Sequence, residues 1–163
     1  MAGKISYRKF GIVKAAGYVR YGVVSAITTL TVTRTKHAGR TVRLDLATGF
    51  TSTLPASTGS GDVYRFVCGT ALTSTNSYII KVANATDVMA GGIDINDSGD
   101  TTAATNDFFP TAASSDTITI LATNGGGKIG DWVELEDLKT GFWAVHGQLQ
   151  GMTDPATPFS ASV

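Results

Sequence analysis

The chain is poor in the residues that most chemistry needs: one cysteine, two histidines, two glutamates and two glutamines in 163 residues. One cysteine excludes an internal disulfide and any multi-cysteine metal site. Two histidines, His37 and His146, leave little material for a histidine-rich metal centre or a proton relay. With so little glutamate and glutamine, the usual helix-forming composition is missing. The first 44 residues contain no aspartate or glutamate at all. No apolar run approaches the ~20 residues that cross a bilayer as a helix. The opening stretch, MAGKISYRKFGIVKAAGYVR, scatters cations through its apolar residues, so no signal-peptide core is expected there. The expected compartment is a reducing cytoplasm, or a particle assembled in it.

What is present is β chemistry. Threonine (24) and glycine (19) are abundant, 42% of residues are hydrophobic and only 16% are charged. That balance fits a folded β protein and neither a disordered acidic chain nor a coiled coil. AITTLTVT (26–33), RTVRLDL (40–46), VYRFVCGT (63–70), SYIIKVA (77–83), VMAGGIDI (88–95), DTITILA (116–122), DWVELEDL (131–138) and FWAVHGQL (142–149) read as strands. These are about eight short strands with no helical period and no internal repeat, which predicts an all-β fold, an antiparallel sandwich or small barrel. A bulge or bend is expected at Gly91-Gly92, a loop over 48–62, a second over 95–107, and a hairpin turn at NGGGK (124–128). Residues 1–24 read as an extended basic arm and 25–163 as the β-rich body.

The net charge is zero, but it is polarised. Lys4, Arg8, Lys9, Lys14, Arg20, Arg34, Lys36, Arg40 and Arg43 precede the first acid, and all thirteen acids lie from Asp45 onward, against four cations. Such a split implies a basic segment that meets an acidic surface: nucleic acid, another protein, or a neighbouring copy. Folding back on its own acidic body is the bland alternative. Nucleic acid is the partner least supported, because the cations are dilute and no recognition motif accompanies them.

Each candidate for chemistry has a plainer reading beside it. DINDSGD (94–100) opens like a calcium loop but has Thr105 where a bidentate glutamate belongs. GGGKIG (125–130) lacks the first glycine and the hydroxyl residue of a phosphate loop. Ser60 lies between glycines without forming a nucleophile elbow. Cys68 reads as a small buried hydrophobe rather than a thiolate paired with a histidine. Glu134 and Glu136 share one strand face, the arrangement of a solvated surface as much as of a hydrolytic pair. Asn84-Ala-Thr86 fits a glycosylation pattern that means little without secretion. No catalytic, cofactor or metal site is expected.

The stretches TGSGDVYRFVCGTALTSTNSYIIKVANATDVMAGGI and GDWVELEDLKTGFWAVHGQLQGM, with the terminal ATPFSASV, resemble small virion structural proteins of tailed bacteriophages, the capsid decoration or cement proteins. The resemblance covers roughly residues 57–163 and leaves out the basic arm. It implies an all-β, non-enzymatic protein that assembles as a homotrimer on the outside of the viral head, with the major capsid protein as partner and no membrane. On physical grounds the arm residues Lys4, Ile5, Tyr7, Arg8, Lys9, Phe10, Lys14, Tyr18 and Arg20 are the candidate contacts with the shell or a neighbouring copy. Ile12 is a further apolar anchor. The alternative is a carbohydrate-binding β module of a tail fibre or appendage, with Trp132, Trp143 and Tyr64 as stacking platforms. A glycan hydrolase using Glu134 and Glu136 is the third reading.

Overall fold

A side chain that alternates between apolar and polar along a strand leaves the chain one way to lie, apolar face inward. A computed structural model describes residues 21–97, 106–123, 125–151 and 155–163. Its strands are β1 (Tyr21–Ala26), β2 (Leu30–Thr31), β3 (Arg40–Leu44), β4 (Thr51–Thr53), β5 (Val63–Cys68), β6 (Ser77–Lys81), β7 (Val88–Asp97), β8 (Asn106–Pro110), β9 (Thr117–Leu121), β10 (Trp132–Lys139), β11 (Phe142–Gly151) and β12 (Phe159–Ser160). A single helical turn, α1 (Arg34–His37), precedes β3. The strands form two sheets packed face to face: a seven-stranded sheet ordered β1-β3-β5-β10-β11-β7-β8 and a five-stranded sheet ordered β12-β9-β6-β4-β2. The expected all-β sandwich is therefore present.

The pairing inside it is mixed rather than purely antiparallel. Through the first half, successive strands switch sheet: β1, β3 and β5 lie side by side and parallel in the larger sheet, β2, β4 and β6 side by side and parallel in the smaller. These are three stacked coils, each contributing one strand to each layer. The second half closes the structure differently, with β10 antiparallel to both β5 and β11, β11 parallel to β7, and β9 antiparallel to β6. Alternation reports which face is buried and carries no information about the direction of a neighbour. The coils also have no constant length. Val24 pairs with Val42, 18 residues on, whereas Val42 pairs with Phe66, 24 residues on.

Four elements lie where no strand was expected. β1 starts at Tyr21, so the last four residues of the expected arm belong to the body. The run 26–33 is divided between the end of β1 and β2. β4 is a three-residue strand inside the expected 48–62 loop, and its inward residue, Ser52, gives no hydrophobic signal despite being buried. β8 and β12 lie in polar or proline-containing stretches. Of the 95–107 loop, residues 98–105 lie outside the described residues, and the flanks extend β7 and begin β8.

The expected hairpin at NGGGK is instead a crossing from β9 in the smaller sheet to β10 in the larger. Gly125, Gly126 and Gly127 are buried along this passage. A Cβ on Gly126 would come within 2.9 Å of Leu149, and Gly126 and Gly127 take φ of 112° and 84°, a conformation that favours glycine. The KTG turn is a true hairpin, joining β10 to β11 through Gly141 at φ 83°. Of the bulge or bend expected at Gly91-Gly92, no bulge interrupts the β7–β11 ladder, which pairs continuously from Val88 to Asp97, while Gly91 takes φ 141°.

The core lies between the sheets and includes Val42, Leu44, Phe66, Tyr78, Ile80, Ile118, Leu135, Trp143 and Val145, each at most 1% exposed. Tyr78 ties the layers together. It rises from β6 in the smaller sheet, meets Phe50 edge-to-face at 5.3 Å, and places its hydroxyl among the loops of the larger sheet. The hydroxyl donates toward the Leu44 and Thr70 carbonyls and accepts from the Leu46 N–H, all at 3.1 Å. Burial raises its pKa. Tyr78→Phe keeps the ring and strands these buried groups, so it should lower stability by roughly 1–3 kcal/mol. A shift of the urea midpoint at unchanged slope measures this.

Candidate functional site

Polar residues that fall in phase with a buried strand face must find partners or remain in water. On β10 the inward positions are Val133, Leu135 and Asp137, and Asp131 stands in the same phase just before the strand. Asp131 and Asp137 are 2% and 3% exposed. The Asp137 carboxylate accepts five hydrogen bonds from the loop before β5: Thr58 N and Gly59 N on Oδ1 at 2.8 and 2.7 Å, and Ser60 N, Thr58 Oγ1 and Ser60 Oγ on Oδ2 at 3.1, 2.9 and 2.7 Å. Burial pushes its pKa up, but these donors outweigh it and hold the pKa down at about 2. Asp131 accepts from Lys128 N and Gln150 N at 3.0 and 3.1 Å, and there burial wins and raises the pKa.

The same device recurs. Asp87 accepts from Ser57 N, and Asp116 accepts from Thr117 Oγ1 and from the Ser162 and Val163 amides near the C-terminus. Asn84, in the possible glycosylation pattern, accepts from Thr86 N, Thr86 Oγ1 and Asp87 N and so holds its own turn. Ser60, between its glycines, is a loop hydroxyl bound to Asp137.

The remaining candidates separate by burial. Cys68 is in the core, and burial, with the charge of Asp131 nearby, pushes its thiol up to about 12. His37 is buried in α1, and its Nδ1 accepts from Thr33 N at 2.9 Å; desolvation lowers its pKa. Trp143 and Tyr64, sugar platforms under the alternative carbohydrate reading, are 0% and 1% exposed and pack edge-to-face against each other at 5.7 Å. They are core residues, because both stand at inward phase on β11 and β5. Every expected arm contact, from Lys4 to Arg20, lies outside the described residues. So do Ser98, Gly99 and Thr105 of the calcium-like stretch, and no group of three or more metal-binding side chains occurs among the described residues.

The outer face of the larger sheet gathers the rest. Cross-strand registers place Arg65, Glu134, His146 and Gly92 in one row and Val67, Trp132, Gln148, Asp94 and Phe108 in the next. A concavity of about 570 Å³ lies over these rows. Trp132 is half-buried and carries the Arg65 guanidinium 4.3 Å above its ring, while Arg65 Nη1 is 3.8 Å from Glu134 Oε2. Phe108, on edge strand β8, is 60% exposed. Sequence reasoning missed Phe108, Asn106 and Gln148, whose signal is a pair of aromatics in the polar run NDFFP and a glutamine in phase with His146. A second concavity, about 410 Å³, lies beside α1, where Arg34 pairs with Asp62 at 2.7 Å. Comparison with family models, curated proteins and solved structures finds no match to this chain.

Two outcomes follow from the buried groups. A carboxyl with a depressed folded pKa stabilises the fold above its unfolded pKa, and that contribution is lost as pH falls toward the folded value. Asp137 should thus contribute about 2 kcal/mol at neutral pH that disappears between about pH 4 and 2. Asp137→Asn should cost roughly 2–4 kcal/mol at pH 7 and flatten this part of the acid-denaturation profile. Asp131, with a raised pKa, acts in the opposite sense. Cys68 should resist alkylation by iodoacetamide at pH 8 in the folded protein and react fully in denaturant, as read by mass spectrometry.

Proposed function

We propose that the protein is a non-enzymatic virion structural protein, a decoration protein that assembles in the host cytoplasm as a homotrimer and binds the major capsid protein on the outside of a viral head. The observation that carries this reading is where the charge goes. Five of the thirteen acids, Asp87, Asp97, Asp116, Asp131 and Asp137, are buried. Asp45, Asp62 and Glu134 face Arg43, Arg34 and Arg65. Among the described residues that leaves Asp94, Asp107 and Glu136 outside these two groups, fewer than the five cations of residues 1–20. Their complement is better supplied by another molecule.

The edge of the body where those residues attach supports the same reading. Among the described strands β1 is the outermost of the larger sheet. Val23 on this strand is 59% exposed and Ile27, just past it, is 64% exposed. Apolar side chains at this edge, next to a cationic segment, suit attachment by apolar contact, with charge setting encounter and register. A segment that orders on docking loses ~1–2 kcal/mol per residue of backbone entropy, so Ile5, Tyr7, Phe10 and Tyr18 must bury apolar surface there.

Removal of residues 1–20 should leave the body folded and weaken co-sedimentation with heads lacking the protein. A cut after residue 24 would instead remove most of β1. Light scattering on the purified chain should give a mass near three times 16.9 kDa. Density mapped on purified particles should lie on the head, and density on the tail, or absence from particles, would overturn the reading.

A further inference from the structure

The outer face of the larger sheet carries a groove built on β7, β8, β10 and β11, away from β1 in the strand order. Phe108 projects from β8, which ends in Pro110 at the sheet's edge. Its ring lies over Gly92 of β7, where any Cβ would overlap it and would also stand 2.9 Å from the Phe109 carbonyl oxygen. Glycine at position 92 thus lets an exposed aromatic ring rest across the sheet. In the same row Trp132, on β10, lines the opposite side of the concavity. Between them stand Gln148 and Asp94, and Asn106, two residues before Phe108 on the same face, reaches Asp94 Oδ1 at 3.4 Å. His146 and Glu134 close the adjoining row.

The chemistry of this lining selects among ligands. Two aromatic side chains suit the C–H face of a ring. Carboxylate, amide and imidazole groups suit a fringe of hydroxyls, because they accept and donate at once. Asp94 and Glu134 oppose phosphates and other anions, and Arg65 is engaged by Trp132 and Glu134. The polar lining opposes a lipid. The volume of about 570 Å³ is that of a small-molecule pocket. All lining residues come from strands, whose backbones hold them in place.

We propose that this groove binds a saccharide, a neutral hexose or N-acetylhexosamine unit stacked against Phe108 and Trp132 and hydrogen-bonded by Asp94, Asn106 and Gln148. This moves the sugar platform from the core pair Trp143 and Tyr64 to the outer face, and the activity is recognition without turnover.

Tryptophan emission tests it on the full chain. The chain has two tryptophans, Trp143 sealed in the core and Trp132 at the groove, so a bound sugar should perturb one emitter over a constant background. Maltotetraose, cellotetraose and the N-acetylglucosamine tetramer are titrated separately at millimolar concentrations. At least one should give a saturable change that Phe108→Ala weakens about tenfold and Trp132→Phe abolishes. Phe108 is exposed, so its alanine variant should keep the urea midpoint of the parent, and Gln148→Ala, also exposed, should weaken binding by a second route. No saturable change with any of the three sugars, or equal binding by the parent and by both Phe108→Ala and Gln148→Ala, would overturn the proposal.

Discussion

A carboxylate taken out of water must be given donors, and much of this fold is arranged around that requirement. Asp131 and Asp137 stand on the inward phase at the two ends of β10, with Val133 and Leu135 between them. Asp137 gathers amides of the loop before β5, and Asp131 joins Lys128 N of the crossing before β10 to Gln150 N of β11. The five bonds on Asp137 bind the segment before β5 to the end of β10, and Asp116 secures the last residues of the chain in the same way. Backbone groups in loops this close to a core have few other partners. The aspartates therefore act as loop clamps, which is why four of them lie buried with their carboxylates bonded to backbone amides.

That arrangement bears on function through subtraction. Acids committed to the interior are withdrawn from the surface, which carries fewer of them than the composition suggests. The stacked coils of the first half add a second constraint. Parallel neighbours cannot be joined by tight hairpins, so the chain crosses between layers after each strand. Among the described strands the outermost coil consequently ends at β1, which the basic segment precedes.

The outer face of the larger sheet has a different origin. Its central strands β10 and β11 form the long hairpin, and β7 and β8 extend it with continuous register. Outward side chains from four strands are thereby laid out in rows, bringing Trp132 and Phe108 to opposite sides of one groove although they are far apart in the chain.

Composition and period-2 alternation were enough to establish the all-β class, most of the strands and their inward faces: Val42 and Leu44, Tyr78 and Ile80, Trp143 and Val145 all lie where phase puts them. They also placed Glu134, Glu136 and His146 outside. These are local properties, set by the pleat and by the free energy of burying one face. Strand direction, sheet membership and the crossing at Gly125–Gly127 were decided only in three dimensions, because they depend on which distant segment supplies the neighbouring ladder. The groove and the clamps belong to that second group. Asp137 reads as acidic surface until Thr58, Gly59 and Ser60 are brought beside it, and Phe108 reads as an isolated aromatic until Gly92 gives its ring a seat.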